Sequence, residues 1–216
     1  MKNMKNNLDD LFPQISIDDW KKEAQESIGN IPLDSLLTKQ LTDNISINAI
    51  YDKSLVDNYY NLEYHSPISE SSNSISLDQF TDLPLESDLE IAFILTLIKQ
   101  NGYNSVEIDL RIDTNFFLTI SKFRAMRYLL ANNLKIPFRL IAKSPNHNKS
   151  ITDNKNNLIR LTTEAMSAIL GGADEVRLTP YNSTRENDDF GKRITENIKI
   201  ILENESYLSF VNDPLS

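Results

Sequence analysis

Few of the side chains that most often do chemistry occur in this chain. There are two histidines, His65 and His147, and no cysteine. Without thiols, the sequence excludes disulfides, thiolate metal centres and a cysteine nucleophile, and two widely separated histidines are a poor start for a zinc site or a histidine relay. His147 has the better context. It lies in the polar run Ser144-Pro145-Asn146-His147-Asn148-Lys149, just after the C-terminal end of a predicted strand, where α/β folds assemble their sites. A solvated loop histidine fits the same placement. Lys122, Arg124 and Arg127 fall on one predicted helix and Arg160 on another, and any of them could hold a phosphate or carboxylate through charge-assisted hydrogen bonds. Ion pairing on a helix surface is the plainer use for each. Glu203 and Glu205 stand two apart, so they project in different directions from a helix and form no acid/base pair. Gly171-Gly172 is the one glycine pair, and neither a phosphate-cradling loop nor a Gly-x-Ser-x-Gly elbow accompanies it. Its expected job is to end a helix.

The chain that must position these residues has 216 residues, 40% of them apolar and 25% charged, the make-up of an ordinary globular protein of one or two domains. Charge is unevenly distributed. Residues 1–87 hold 6 Lys, no Arg and 15 Asp or Glu, whereas residues 88–216 hold 16 basic and 16 acidic residues, so the whole net charge of -9 belongs to the first part. A pI near 4.8 argues against a surface that tracks a polyanion, and nucleic acid is not an expected partner. The longest apolar stretch, Ile91 to Ile98, is interrupted by Thr96 and falls far short of the ~20 residues that span a bilayer. Met1-Lys2-Asn3-Met4-Lys5 does not read as a secretory signal. A cytoplasmic protein with no membrane partner is expected.

Three spans are predicted: an acidic N-terminal arm over residues 1–65, a polar linker over 66–87 and a regular α/β module over 88–216. In the arm, Ile17-Asp18-Asp19-Trp20 opens an amphipathic helix, with Asp18 as the expected cap and Gly29 as its stop. Leu33 to Leu41 should add a helical turn or two, and Ile45 to Tyr51 alternates like a strand. The serine-rich run from Ser66 to Gln79 reads as a connector. After it, Asp88 to Gln100 has the length of a helix and is apolar on most sides. Strands are predicted at Val106–Ile112, Pro137–Lys143 and Glu175–Tyr181. Helices are predicted over Asn115–Leu134, from about Asn154 to the glycine pair with Leu158, Thr162, Ala165, Met166 and Ile169 inward, and over Asp188–Tyr207 with Phe190, Ile194, Ile198, Ile201 and Leu202 as a stripe. Strand-then-helix units in succession imply parallel strands joined by right-handed crossovers. A closed eight-stranded barrel takes ~250 residues, so residues 88–216 have room for three or four units of one.

Two segments carry a resemblance. Thr114-Asn115-Phe116-Phe117-Leu118-Thr119-Ile120-Ser121-Lys122-Phe123-Arg124-Ala125-Met126-Arg127 follows an Asn-Phe-Phe-x-x-Ile-x-Lys-x-Arg-Ala-x-Arg pattern. Asn156 to Asp174, with Asn157, Arg160, Thr162, Glu164, Ala165, Met166 and Gly171-Gly172, follows an Asn-x-x-Arg-x-Thr-x-Glu-Ala-Met-x-Ala-x-x-Gly-Gly stretch, and Phe190 to Asn197 and Ile201 to Tyr207 continue it in register. Both patterns are those of methylmalonyl-CoA mutases, and the chain most resembles a heavily shortened small, non-catalytic subunit of the two-chain bacterial enzymes. The resemblance implies a partial TIM-type (β/α) barrel belonging to an isomerase that interconverts methylmalonyl-CoA and succinyl-CoA with adenosylcobalamin.

Departures from the family limit what carries over. The cobalamin-binding domain, with its Asp-x-His-x-x-Gly loop, is missing, so this chain alone is expected to bind no cofactor. The first half of the barrel has no counterpart between Tyr51 and Asp88. Catalytic relatives end the strand before the longer match in His-x-Gln-Thr-Ser-Gly-Trp, and here that stretch reads Ile141-Ala142-Lys143-Ser144-Pro145-Asn146-His147. Two polar substrate contacts have become Ile141 and Lys143, and a hydroxyl is kept at Ser144. The expected reading is therefore a structural or assembly partner of a large mutase subunit, or a self-associating chain, that is not catalytic alone. Ser144, His147 and Arg160 are the remnants through which acyl-CoA would be touched. The alternative is a free-standing interaction or ligand-binding module built on half a barrel.

Overall fold

A computed structural model describes residues 15–41, 44–51, 73–75, 86–183 and 189–210. The chain divides into two compact units, Met1–Tyr60 and Asn61–Ser216.

In the first unit, α1 (Ile17–Ile28) and α2 (Leu33–Leu37) precede an antiparallel pair of short strands, β1 (Thr38–Gln40) and β2 (Ser46–Asn48). The cap of α1 is Ser16, whose hydroxyl accepts a hydrogen bond from the Asp19 amide at 3.1 Å. Asp18, expected at that position, instead sits in the first turn, where its negative charge meets the positive end of the helix dipole. Gly29 ends the helix at φ 67°.

The second unit is built on a four-stranded parallel sheet in the order β3-β4-β5-β6, with β3 at Asn73–Ile75, β4 at Val106–Arg111, β5 at Phe138–Lys143 and β6 at Glu175–Arg177. Strand β3 falls inside the serine-rich span read as a connector. Its Ile75 is buried against the core while its backbone adds to the edge of β4, a pairing that needs only three residues and leaves little trace in composition. Helix α3 (Ser87–Asn101) leads into β4, α4 (Phe116–Tyr128) joins β4 to β5, α5 (Asn156–Leu170) joins β5 to β6, and α6 (Asp189–Asn204) follows β6. Each of these helices packs on the next. A π turn, Leu129–Leu134, prolongs α4 and ends at Lys135 in left-handed geometry.

Alternation along the strands separates two faces. Val106, Ile108, Leu110, Phe138, Leu140 and Ala142 are buried in one hydrophobic core with Ile94 and Ile98 of α3 and Phe123 and Met126 of α4. A second cluster joins Leu161 and Ala165 of α5 to Ile198 and Leu202 of α6. Helix α3 is less enclosed than its apolar sequence implies, since Leu89 is exposed and Ile91, Phe93, Leu95 and Leu97 are only partly covered. The inward stripe of α5 is Leu161, Ala165 and Ala168, with Met166 turned to solvent. Phe190 and Ile201 of the predicted α6 stripe are likewise exposed, because α5 and the turn at Leu208–Phe210 cover only part of that helix.

The glycine pair divides its labour. Gly172, at φ 88°, supplies the left-handed turn. Gly171 has ordinary helical geometry, and a Cβ there would come within 2.9 Å of the Phe123 Cβ, so its small size lets α5 approach α4. Among the described residues no helix is long and apolar enough to cross a membrane.

Candidate functional site

The sheet face turned away from the helices is charged. Register aligns Glu107 with Arg139, then Asp109 with Ile141 and Glu175, then Arg111 with Lys143 and Arg177. Arg139 reaches Glu107 at 3.5 Å and Glu175 at 2.8 Å, Asp109 receives Lys143 at 2.7 Å and Arg177 at 3.6 Å, and Glu175 holds Arg177 at 2.7 Å. That last bond lowers the Glu175 carboxyl below its ordinary pKa and raises the Arg177 guanidinium above its own. Carboxylates thus dominate the lower part of this face. Its C-terminal rim is wholly basic.

That rim opens into a cleft of about 570 Å³ lined by Arg111, Lys143, Arg177, His147, Asn146 and Thr179, with Ser144 at its edge. A smaller adjoining recess of about 210 Å³ is bounded by Glu90, Lys122, Asp113 and His147. Glu90 is fully buried on α3, and its carboxylate accepts from Lys122 Nζ at 2.5 Å and from the Arg111 amide at 3.2 Å. Helix α4 starts beside this recess because Asn115 caps it, accepting from the Leu118 amide at 3.1 Å, while Asp113 accepts from the Asn115 amide at 3.0 Å.

Of the residues singled out by sequence, His147 is exposed and borders both recesses. Ser144 is buried, and its Oγ accepts from the Thr179 amide at 2.7 Å, which ties the end of β5 to the segment after β6. Arg160 does not join them. It lines a separate cleft of about 420 Å³ between α5 and the start of α4, with Asp113, Phe116 and Glu164, and its buried Nε has no hydrogen-bond partner. Lys122 and Arg127 are buried and held by protein groups: Lys122 by Glu90, and Arg127 by Asp174 at 2.8 Å and the Gly172 carbonyl, with its guanidinium over the Phe138 ring. Arg124 is exposed and donates to the Leu170 carbonyl at 3.3 Å.

Other polar residues of the two patterns also fasten the fold. Asn157 is fully buried, donating to the Ser150 and Tyr181 carbonyls at 3.0 and 2.9 Å and accepting from the Ser150 amide at 2.8 Å. Glu164 holds Lys149 at 2.9 Å and Asn148 at 2.7 Å, anchoring the loop after β5. Burial lowers the Lys149 pKa, an effect that Glu164 opposes and Arg160 reinforces. Arg111, Lys143 and Arg177, the basic rim, were not assembled by sequence reasoning. Their signal is charge at alternate positions of β4, β5 and β6, broken only at Ile141, and it becomes visible only once pairing fixes the register.

The polar residues of the two patterns thus brace α4, α5 and the loop after β5 in one scaffold, and both patterns lie within residues 105–216, which the family model for methylmalonyl-CoA mutase matches. The chain belongs to the methylmalonyl-CoA mutase family. It is 34% identical over 140 residues to the methylmalonyl-CoA mutase small subunit of Porphyromonas gingivalis, a match covering 57% of this chain and 23% of that protein. It is 30% identical over 124 residues to the small subunit of Streptomyces virginiae, covering 53% and 20%, and 26% identical over 178 residues to the human mitochondrial mutase, covering 70% and 24%. The resemblance to small subunits is met by relatives bearing that name. The chain spans less than a quarter of the length of these proteins.

The mutase family uses adenosylcobalamin, and the described residues do not fit it. A corrinoid is a broad macrocycle that a protein seats against a wide, largely apolar surface. Here His147 stands in a polar loop and lines its cleft together with three cations. Among the described residues no cluster of three or more His, Cys, Asp or Glu side chains could hold a metal ion.

Proposed function

We propose that this chain is a structural or assembly component of a cobalamin-dependent mutase, small-subunit-like, cytoplasmic and docked on a larger catalytic chain, with its sheet forming one arc of a (β/α) barrel. Sequential strand order and helices that pack in series support the arc, since a doubly wound sheet reverses its order at a switch point. Where a barrel would hold substrate, the chain carries cross-strand ion pairs joining β4, β5 and β6, and that lattice is the observation on which the non-catalytic reading rests. Its carboxylates and cations pair across the fully buried Ile141, so an acyl chain laid on this face would meet charged groups. Among the described residues neither β3 nor β6 has a strand on its outer side, and a partner's strands would cover those edges. Within this reading His147 is the remnant that would meet a ligand, Ser144 closes the rim beside it, and Arg160 serves the neighbouring helix layer.

Co-expression with a cobalamin-binding large subunit tests the proposal. A stable complex of defined stoichiometry, seen by light scattering after size exclusion, is the expected result. A compact monomer whose elution is unchanged by the large subunit would refute it. The second reading, a free-standing ligand-binding module, is favoured by one feature alone: the basic rim.

A further inference from the structure

Arg111, Lys143 and Arg177 are direct neighbours across three adjacent strands. Like charges placed opposite one another in a sheet are destabilising, and folding alone gives no reason to align three. The two rows beneath do not repeat the pattern: Glu107 faces Arg139, and Asp109 and Glu175 are separated by Ile141. Those carboxylates hold the cations from below, Asp109 under Lys143 and Arg177 and Glu175 under Arg177, while Glu90 lies 3.7 Å from Arg111 Nε. Among the described residues that line the cleft itself there is no carboxylate. The acids therefore orient the rim, and the rim faces the opening.

We propose that this cleft binds a small phosphorylated molecule, whose phosphoryl group is held by Arg111, Lys143 and Arg177. The proposal is independent of the assembly reading, because it uses this chain's own residues. Strands are ~4.8 Å apart, so the three cations span roughly 10 Å at the backbone, a width that suits a phosphate or diphosphate. Two planar guanidinium forks meet phosphate oxygens in pairs, and the lysine adds a point charge between them. The Ser144 hydroxyl accepts from the Thr179 amide, which leaves its own O–H to donate, and Asn146 and His147 add polar groups at the mouth. At about 570 Å³ the cleft has room for an organic body beside the anion.

Calorimetric titration of the full chain with pyrophosphate, in parallel with citrate, tests this at low ionic strength. Saturable binding of pyrophosphate, tighter than that of citrate, is expected. Arg177→Gln, at a side chain exposed to solvent, should weaken it by about tenfold or more, and Arg124→Gln, on the helix layer, should leave it unchanged. Mass spectrometry of acetylated wild-type chain gives a readout that needs no variant: pyrophosphate should slow modification of Lys143. Absence of saturable pyrophosphate binding, citrate binding as tightly, affinity untouched by Arg177→Gln, or unslowed acetylation of Lys143 would each overturn the assignment.

Discussion

Buried ion pairs carry much of the family pattern. Lys149 and Glu164 are almost wholly removed from water, and the loop after β5 hangs on their contact. Breaking such a pair from one side strands a charge, at a cost of about 3–5 kcal/mol. Glu164→Gln is therefore expected to lower the urea midpoint strongly near neutral pH, and the loss should shrink in alkali as Lys149 sheds its proton. The sign for the wild-type chain follows from the same group. Lys149 has a folded pKa below its ordinary 10.5, so the unfolded chain binds that proton more tightly. Its contribution to stability then rises with pH through the window below 10.5 and levels off above it. Urea unfolding compared between wild type and Lys149→Met should show the wild type gaining relative stability from neutral pH towards that value. A difference independent of pH would contradict the burial argument.

At the scale of elements, the contact of α4 with α5 depends on a missing side chain. Gly171→Ala would press a Cβ against Phe123, whose own Cβ is fixed to the α4 backbone, and a loss of about 1–3 kcal/mol in chemical denaturation is expected. Gly102→Ala meets no neighbouring atom and suffers only from its φ of 63°, so about 1 kcal/mol is expected there. Strand β6 offers a different check. Arg177 is the first cause of the lowered Glu175 pKa, and Arg177→Gln should let that carboxyl titrate closer to its ordinary value, a shift that side-chain carbon NMR can follow. Because the pKa is lowered, the stability Glu175 adds is present above its unfolded value of 4.5 and is lost as pH falls through the folded one.

For the whole molecule, the open question of cover is physical. Helix α6 leaves Ile200 and Ile201 about half exposed, with Phe190 on the same helix, and those residues are where a large mutase subunit would pack in the assembly reading. Ile200→Lys with Ile201→Lys should abolish co-purification with that subunit while the melting temperature of the isolated chain stays within a few degrees. Retained co-purification would move the contact elsewhere.

Periodicity alone located α3, β4, α4, β5, α5 and α6, because apolar spacing of 3.6 or 2 follows from which faces must leave water. The two patterns at Thr114–Arg127 and Asn156–Asp174 were enough to point to the family. What the sequence could not decide depended on partners distant along the chain. Asn73–Ile75, one isoleucine in a polar run, became a strand only through β4, and Lys122 and Arg127, legible as surface charges or ligand holders, became internal clamps only when Glu90 and Asp174 met them. The basic rim is the clearest case. Arg111, Lys143 and Arg177 lie more than thirty residues apart in turn, and strand register, a property of the folded backbone, is what sets them side by side.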